Sequence, residues 1–233
     1  MPAPRRTARD ERRRRLGQNF LRPESAERFV DAAGVTAGEF VVEIGAGSGA
    51  ITGALARRGA EVIAVEVDRA WADRLRHTYS AAHRGGRGGR GVRVICADFL
   101  AMPLPSGPFR VVACLPFAST TAILSRLLGG EARDHLQRAD LIVQWEVARK
   151  RSAVPASTLR STAWAPWWEF SLGRRIAAKE FRPVPSVDGG VLVVTKRDPA
   201  LLPPAMAPRY EAFVRANWPF EDGSRSRGRT HRA

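Results

Sequence analysis

Phe40-Val-Val-Glu-Ile-Gly45-Ala-Gly47-Ser-Gly49 is the stretch that decides the fold. Its apolar start reads as a buried strand. The glycines that follow let the backbone turn sharply and let a ligand approach the main chain. Ser48–Arg58 then reads as a helix that stops at Gly59. Outward from this unit the same alternation recurs. Glu24–Ala33 has helical spacing and stops at Gly34, Glu61–Glu66 is a second strand, and Arg69–Tyr79 a second helix. Val92–Cys96, Arg110–Cys114 and Ala139–Gln144 read as further strands, with helices over Ser119–Leu128 and Trp145–Arg151. Glu169–Arg174 and Gly190–Thr195 read as a closing pair of strands. Five such alternations predict an α/β fold, a parallel sheet with helices on both faces. Sheets of this kind bind ligands beyond the carboxyl ends of their strands.

The glycine loop alone leaves the ligand open. Gly45-x-Gly47-x-x-Ala50 also fits a dinucleotide fingerprint. Glu66, closing the second strand, suits the two hydroxyls of a ribose in either NAD or S-adenosylmethionine. The fourth strand separates them, because it ends in Cys114-Leu115-Pro116-Phe117. Pro116 has no N–H to extend a ladder, so the strand end presents carbonyl acceptors beside a held aromatic ring. Such a pair suits the exocyclic amine of a base pulled from its stack, as in adenine N6. Asp98, after the third strand, can accept from the cofactor's adenine amine. A hydride enzyme needs a catalytic acid or base, yet no histidine stands at the carboxyl end of a strand. Methyl transfer needs alignment more than such a group.

Leu16-Gly17-Gln18-Asn19-Phe20-Leu21, Glu43 to Gly49, Glu66-Val-Asp68, Ala97-Asp98-Phe99 and Leu115-Pro116-Phe117 stand in one order and spacing. Together they resemble the ribosomal RNA adenine-N6 methyltransferases (KsgA/Erm). Gln144-Trp-Glu146-Val-Ala148-Arg149-Lys150-Arg151, with Trp164 to Phe170, is similar to the Erm macrolide-resistance branch. Phe181-Arg-Pro183-Val-Pro185-Ser-Val187-Asp188 resembles the segment closing the catalytic domain in both branches. The resemblance implies a Rossmann-like methyltransferase fold with a mostly parallel seven-stranded sheet. It implies S-adenosylmethionine as donor, an adenine of 23S ribosomal RNA as acceptor, and resistance to macrolides, lincosamides and streptogramin B. By the same resemblance Gln18, Asn19 and Leu21 line the methionine end of the cofactor, and Gly45 and Gly47 cradle it. Glu66 holds the ribose and Asp98 the adenine. Position 114, with Leu115 and Pro116, orients the target amine, and Phe117 stacks on the base. Many relatives carry Asn where this chain has Cys114. A thiol is a weak acceptor, so slower transfer, or transfer of one methyl, is expected.

Charge points to the partner. The chain of 233 residues carries a net +15. Residues 1–16 contribute +5, residues 84–90 contribute +3, and residues 223–233 contribute +4. Arginine arms on a nearly neutral body suit RNA, although they also read as solubilising tails. Arg12, Arg13, Arg14 and Arg15 of the arm, and Arg149, Lys150 and Arg151 of the later helix, are the candidate RNA contacts. The last three read equally as a solvated helix face. No apolar run is long enough to span a membrane, and no secretory h-region or metal-ligand spacing occurs. Two cysteines at strand ends suit a reducing cytoplasm. The expected organisation is a disordered arm over 1–15, a catalytic domain over 16–197, and a shortened helical remnant with a basic tail over 198–233. A monomer is expected. The competing readings are a methyltransferase for DNA or a metabolite, an RNA-binding protein that keeps the fold without turnover, and more distantly an NAD enzyme.

Overall fold

The computed structural model describes residues 19–80, 91–130 and 132–218. Gln18, Arg12 to Arg15, the loop at 84–90 and the basic tail lie outside the described residues. Chain order runs β1 (Phe20–Leu21), α1 (Pro23–Ala33), β2 (Phe40–Ile44), α2 (Ala50–Arg57), β3 (Glu61–Glu66), α3 (Arg69–Ser80), β4 (Val92–Cys96) and β5 (Phe109–Cys114). It continues with α4 (Thr120–Leu128), α5 (Ala132–His135), β6 (Leu136–Gln144), α6 (Trp145–Arg151), α7 (Leu159–Trp164), β7 (Trp168–Ile176), β8 (Phe181–Arg182), β9 (Gly189–Lys196) and α8 (Ala207–Asn217).

Seven strands form one sheet in the order β4-β3-β2-β5-β6-β9-β7. The first five are parallel, and β9 runs antiparallel to both β6 and β7. Alternation of side chains along each strand divides the core into two. Val42, Ile44, Val111, Ala113, Leu141 and Val143 face one hydrophobic cluster, with α4, Trp164, Trp167 and Trp168. Val41, Val112, Ile142 and Val191 face the other, with Phe29 and Val30 of α1 and Leu55 of α2. Both faces are therefore covered, as the apolar strand sequences require.

Several boundaries differ from the sequence reading for local reasons. The second helix starts at Ala50 rather than Ser48 because Gly49 is left-handed (φ 83°). Helix α7 was not anticipated; Thr158 caps it by accepting from the Ser161 N–H at 3.1 Å. The helical remnant expected over 198–233 is one helix from Ala207 to Asn217 among the described residues, and residues before it fold back onto the sheet domain. Trp167 Nε1 donates to the Leu202 carbonyl at 2.9 Å, and its ring meets Tyr210 edge-on at 5.9 Å.

Two polar clusters fasten the edges. At the lower edge, Arg110 and Asp140 are buried partners, with Nη2 to Oδ2 at 2.8 Å. Arg110 also reaches Glu39 at 3.0 Å and the Ala33 carbonyl, and Arg138 donates to Asp140 Oδ1 at 2.8 Å. At the upper edge, Glu180 accepts from Ser25 (2.6 Å), Arg28 (3.1 Å), Arg174 (3.0 Å) and the Ala177 N–H (3.1 Å). Partial burial pushes the Glu180 carboxyl up, but bonds from Arg174, Ser25, the Ala177 N–H and Arg28 outweigh it and hold it at about 2.

Asp140→Ala leaves the buried Arg110 guanidinium with only the more exposed Glu39 as carboxylate partner and is expected to cost about 3 kcal/mol. The double change Arg110→Met with Asp140→Leu recovers most of that loss; denaturant midpoints measure both. Glu180 has a depressed carboxyl pKa, so its stabilisation is complete above its ordinary 4.5 and fades as pH falls toward about 2. The gap in urea midpoint between wild type and Glu180→Gln is therefore expected to be widest near neutrality and to close in acid.

Candidate active site

The tips of β2, β3 and β5 lie side by side, and each contributes a different chemical group. After Ile44 the backbone turns through Gly45 (φ 73°) and Gly47 (φ 53°), conformations that L side chains rarely adopt. Gly45 N–H and Ala46 N–H both donate to the Val65 carbonyl, at 2.8 and 3.1 Å, tying the loop to β3. Glu66, at the end of β3, is buried, and its two oxygens accept from Gly47 N–H at 2.7 Å and Asp68 N–H at 2.8 Å. Burial raises its pKa against those backbone bonds. Below the loop, Glu43 accepts from the Thr52 hydroxyl at 2.5 Å, and burial pushes its carboxyl up to about 8. Glu43 is thus protonated at neutral pH and does not border the site.

On β5 the chain stays buried through Ala113 and then opens at Cys114. The Leu115 N–H donates to the Ile142 carbonyl at 2.9 Å, which anchors the tip to β6. The sequence predicts carbonyls free at this strand end, and the structure narrows that set. The Pro116 carbonyl is taken by the Ser119 N–H at 3.0 Å and the Thr120 hydroxyl at 3.2 Å. The Cys114 carbonyl faces Gly45, 3.9 Å from where a Cβ there would stand. Burial pushes the Cys114 thiol up to about 12, with Glu43 adding to the effect. It stays protonated, a weak acceptor and a poor nucleophile. Phe117 opens a short 3-10 turn over 117–119 and is half-buried.

These tips enclose one cavity of about 70 Å³. Asn19, Gly45, Gly47, Glu66 and Cys114 through Phe117 all border it. Eight residues selected from sequence thus converge on one slot. Three others border it that sequence reasoning assigned no role: Phe20, Val67 and Phe181. The signal for Phe20 and Phe181 was present only as membership in motifs. Their proximity comes from pairing of β1 with β8, which sets Leu21 against Phe181. The Phe20 ring lies on Gly47, where a Cβ would stand 2.6 Å from it, and meets Trp71 edge-on at 4.8 Å. Val67, 52% exposed, opens the slot to the surface.

Other candidates lie elsewhere. Leu21 is buried in the hydrophobic cluster beneath β1 and is not among the residues bordering the slot. Asp98 lies past β4, one strand beyond Glu66; it is exposed, and its side chain accepts from the Leu100 N–H at 2.9 Å. Arg149 and Lys150 are exposed on α6, Arg149 with Glu146 at 3.2 Å. Arg151 is half-buried, unlike its two neighbours. Its guanidinium lies 5.5 Å from the Trp164 ring centre and donates to the Thr158 hydroxyl at 2.8 Å, and burial lowers its pKa. It is committed to the protein's own packing. Among the described residues no cluster of His, Cys, Asp or Glu could hold a metal, and no helix is long and apolar enough to cross a membrane.

The residues fit a nucleoside-bearing donor. Glycines at 45 and 47 hold the loop backbone open beside the slot, and a buried carboxylate stands at the neighbouring tip. At about 70 Å³ the slot is well below the ~300 Å³ of a typical small-molecule pocket. Phe20 lies across Gly47, and Glu66 bonds to the loop, on the slot's narrow side.

Comparison with known proteins agrees with this geometry. Residues 9–218 match the family model for ribosomal RNA adenine dimethylase. An rRNA adenine N-6-methyltransferase of Corynebacterium diphtheriae is 39% identical over 199 residues, covering 85% of this chain and 74% of that protein. The mycinamicin-resistance protein MyrB of Micromonospora griseorubida is 39% identical over 204 residues, covering 87% of this chain and 62% of its own length. The crystal structure of the 23S rRNA methyltransferase ErmE superposes with a TM-score of 0.72 at 30% identity, covering 84% of this chain and 78% of that one. The chain thus spans between 62% and 74% of the length of these two curated relatives. A doubly covered sheet, a glycine loop with its acid, and a match over 210 residues together place the chain in the ribosomal RNA adenine dimethylase family, whose methyl donor is S-adenosylmethionine.

Proposed function

We propose that this protein methylates N6 of an adenine in 23S ribosomal RNA, as a cytoplasmic monomer, and thereby confers resistance to macrolides, lincosamides and streptogramin B. The observation that carries the proposal is the single slot joining Glu66 and the glycine loop to Cys114-Leu-Pro-Phe117 across adjacent strand tips. The 23S substrate named for ErmE and the resistance named for MyrB support the choice of RNA and of phenotype.

When bound, S-adenosylmethionine supplies an electrophilic methyl group. Asn19, Gly45, Gly47 and Glu66 are the residues placed to hold it, with the remaining lone pairs of Glu66 accepting from the ribose hydroxyls. Asp98, one strand further out, takes the adenine end. The Cys114 and Leu115 carbonyls accept hydrogen bonds from the target amine and so aim its lone pair. Phe117 stacks on the flipped base, an interaction typically worth ~1–3 kcal/mol. The neutral Cys114 thiol cannot compete with the amine for the methyl group, because only a thiolate is a strong nucleophile. The amine proton leaves to water after transfer.

Incubation with labelled donor is expected to label naked 23S RNA and not DNA, and primer extension is expected to stop at one adenine. Label in DNA alone would overturn the substrate. Phe117→Ala is expected to lower turnover roughly 5- to 150-fold while donor affinity by calorimetry stays within about twofold; an equal loss in both would remove the ring from the base. Cys114→Asn is expected to raise turnover roughly 2- to 10-fold, the worth of one hydrogen bond, and mass spectrometry of the nucleosides counts the methyl groups. Turnover seen only in Cys114→Asn would make the wild type an RNA-binding protein.

A further inference from the structure

A second cavity, of about 410 Å³, lies at the same edge of the sheet. Gln144 and Trp145 reach it from the tip of β6, Arg175 from the end of β7, and Ser186, Val187 and Asp188 from the segment entering β9. None of these residues has a part in the chemistry above.

Its walls are built as a stacking platform. The Arg175 guanidinium lies 5.4 Å from the Trp145 ring centre. Arg175 Nε donates to Asp188 Oδ2 at 2.7 Å, while the other Asp188 oxygen accepts from the Ala178 N–H at 2.7 Å. The Trp145 N–H donates to the Asp188 carbonyl at 3.0 Å. Asp188 therefore holds both the indole's backbone and the guanidinium's edge. Trp145 is held from below as well, because a Cβ at Gly190 would stand 2.7 Å from its ring. Half-buried indole and a 59% exposed guanidinium side chain form a rigid pair open to solvent. Flat aromatic surface with an adjoining arginine is what a nucleobase stacks on, whatever its identity.

The two cavities are one structural step apart. The segment Phe181–Asp188 borders the first cavity with Phe181 and the second with its last three residues. Gly189 and Gly190 are consecutive in β9; a Cβ on Gly189 would stand 3.0 Å from the Phe181 ring, and one on Gly190 would strike Trp145. The tips of β5 and β6 are joined directly by the Leu115 to Ile142 bond. Trp145 follows the tip of β6, the strand next to β5 whose tip carries Phe117, and neighbouring strands are about 4.8 Å apart.

We propose that Trp145 and Arg175, fixed by Asp188, form a second nucleotide subsite that stacks the base next to the target adenine in the same RNA strand. The proposal rests on the RNA-methylation reading for the identity of the strand. Arg149 pairs with Glu146 at the cavity's rim, at 3.2 Å, so local charge is nearly balanced and stacking supplies the recognition.

The test uses a 23S-derived RNA hairpin bearing the target adenine, with each flanking nucleotide replaced in turn by an abasic residue. With the wild-type protein, one of the two abasic hairpins is expected to bind about tenfold more weakly. Trp145→Ala is expected to bind the intact hairpin about tenfold more weakly and to lose nothing further on that abasic hairpin. Trp145→Phe, which keeps an aromatic face, is expected to recover most of the affinity, and Arg175→Gln to lose part of it. The salt dependence of binding stays as in wild type. Wild-type affinity in both Trp145→Ala and Arg175→Gln, or losses that simply add on the abasic hairpin, would overturn the subsite. Matching thermal midpoints keep misfolding out of the comparison. Dissociation constants are read separately from methyl transfer, so coupling at Trp145 without any transfer would sink the assigned reaction and leave the subsite standing.

Discussion

The site depends on one buried carboxylate. Glu66 ends β3 and gives one oxygen to the Gly47 N–H of the neighbouring loop and the other to the Asp68 N–H of its own turn. Parallel strands end with their last carbonyls and the following N–H groups unpaired by the ladder, and each must find a partner when buried. Glu66 meets that demand on two strands at once. It thereby sets the loop's position over β3, and the Val65 carbonyl, taking both Gly45 and Ala46 N–H, sets its height. Glu66 also lines the slot, so the group that shapes the loop is the group offered to a ligand. A carboxylate has about four lone-pair sites and the two N–H groups occupy one on each oxygen, so acceptor capacity remains on the side facing the slot.

Charge around the slot is controlled by burial rather than by ion pairs. Glu43 lies under the loop with its pKa pushed up to about 8, and Cys114 lies opposite with its thiol pushed up to about 12. Both are neutral at physiological pH. A neutral thiol matters here because a thiolate beside an electrophilic methyl would itself be alkylated. The same burial makes Cys114 a weaker acceptor than an amide side chain would be. The Pro116 carbonyl is already used by the turn that carries Phe117, which leaves the Cys114 and Leu115 carbonyls as the acceptors of this tip.

Much of this was legible in the sequence because it is local. Strand β2, its glycines and Glu66 are readable from period and spacing, and the Cys-Leu-Pro-Phe tip from the proline that halts a ladder. What escaped was non-local. Phe181 enters the slot only because β8 pairs with β1 across some 160 residues, and no periodicity records that pairing. The same pairing sends Leu21 into the core, although it follows Asn19 and Phe20, which face the slot. The packing of Arg151 was hidden for a related reason. In sequence it is one of three consecutive cations, but its place on α6 puts it against Trp164 of α7, a helix not anticipated.

The reversal of β9 explains why the edge carries two cavities rather than one. The five parallel strands bring their carboxyl ends to a common edge, and there the first cavity forms. An antiparallel β9 brings its beginning to that edge instead, with Gly189 opposite Gln144 at the tip of β6. Its preceding segment, 181–188, must therefore pass over the tips before the strand starts. Glycine at 189 and 190 lets Phe181 and Trp145 lie against the strand on opposite faces, since successive positions in a strand point apart. Had β9 run parallel, its start and both glycines would lie at the far edge, beside Arg110 and Asp140. The edge would then hold the first cavity without the second.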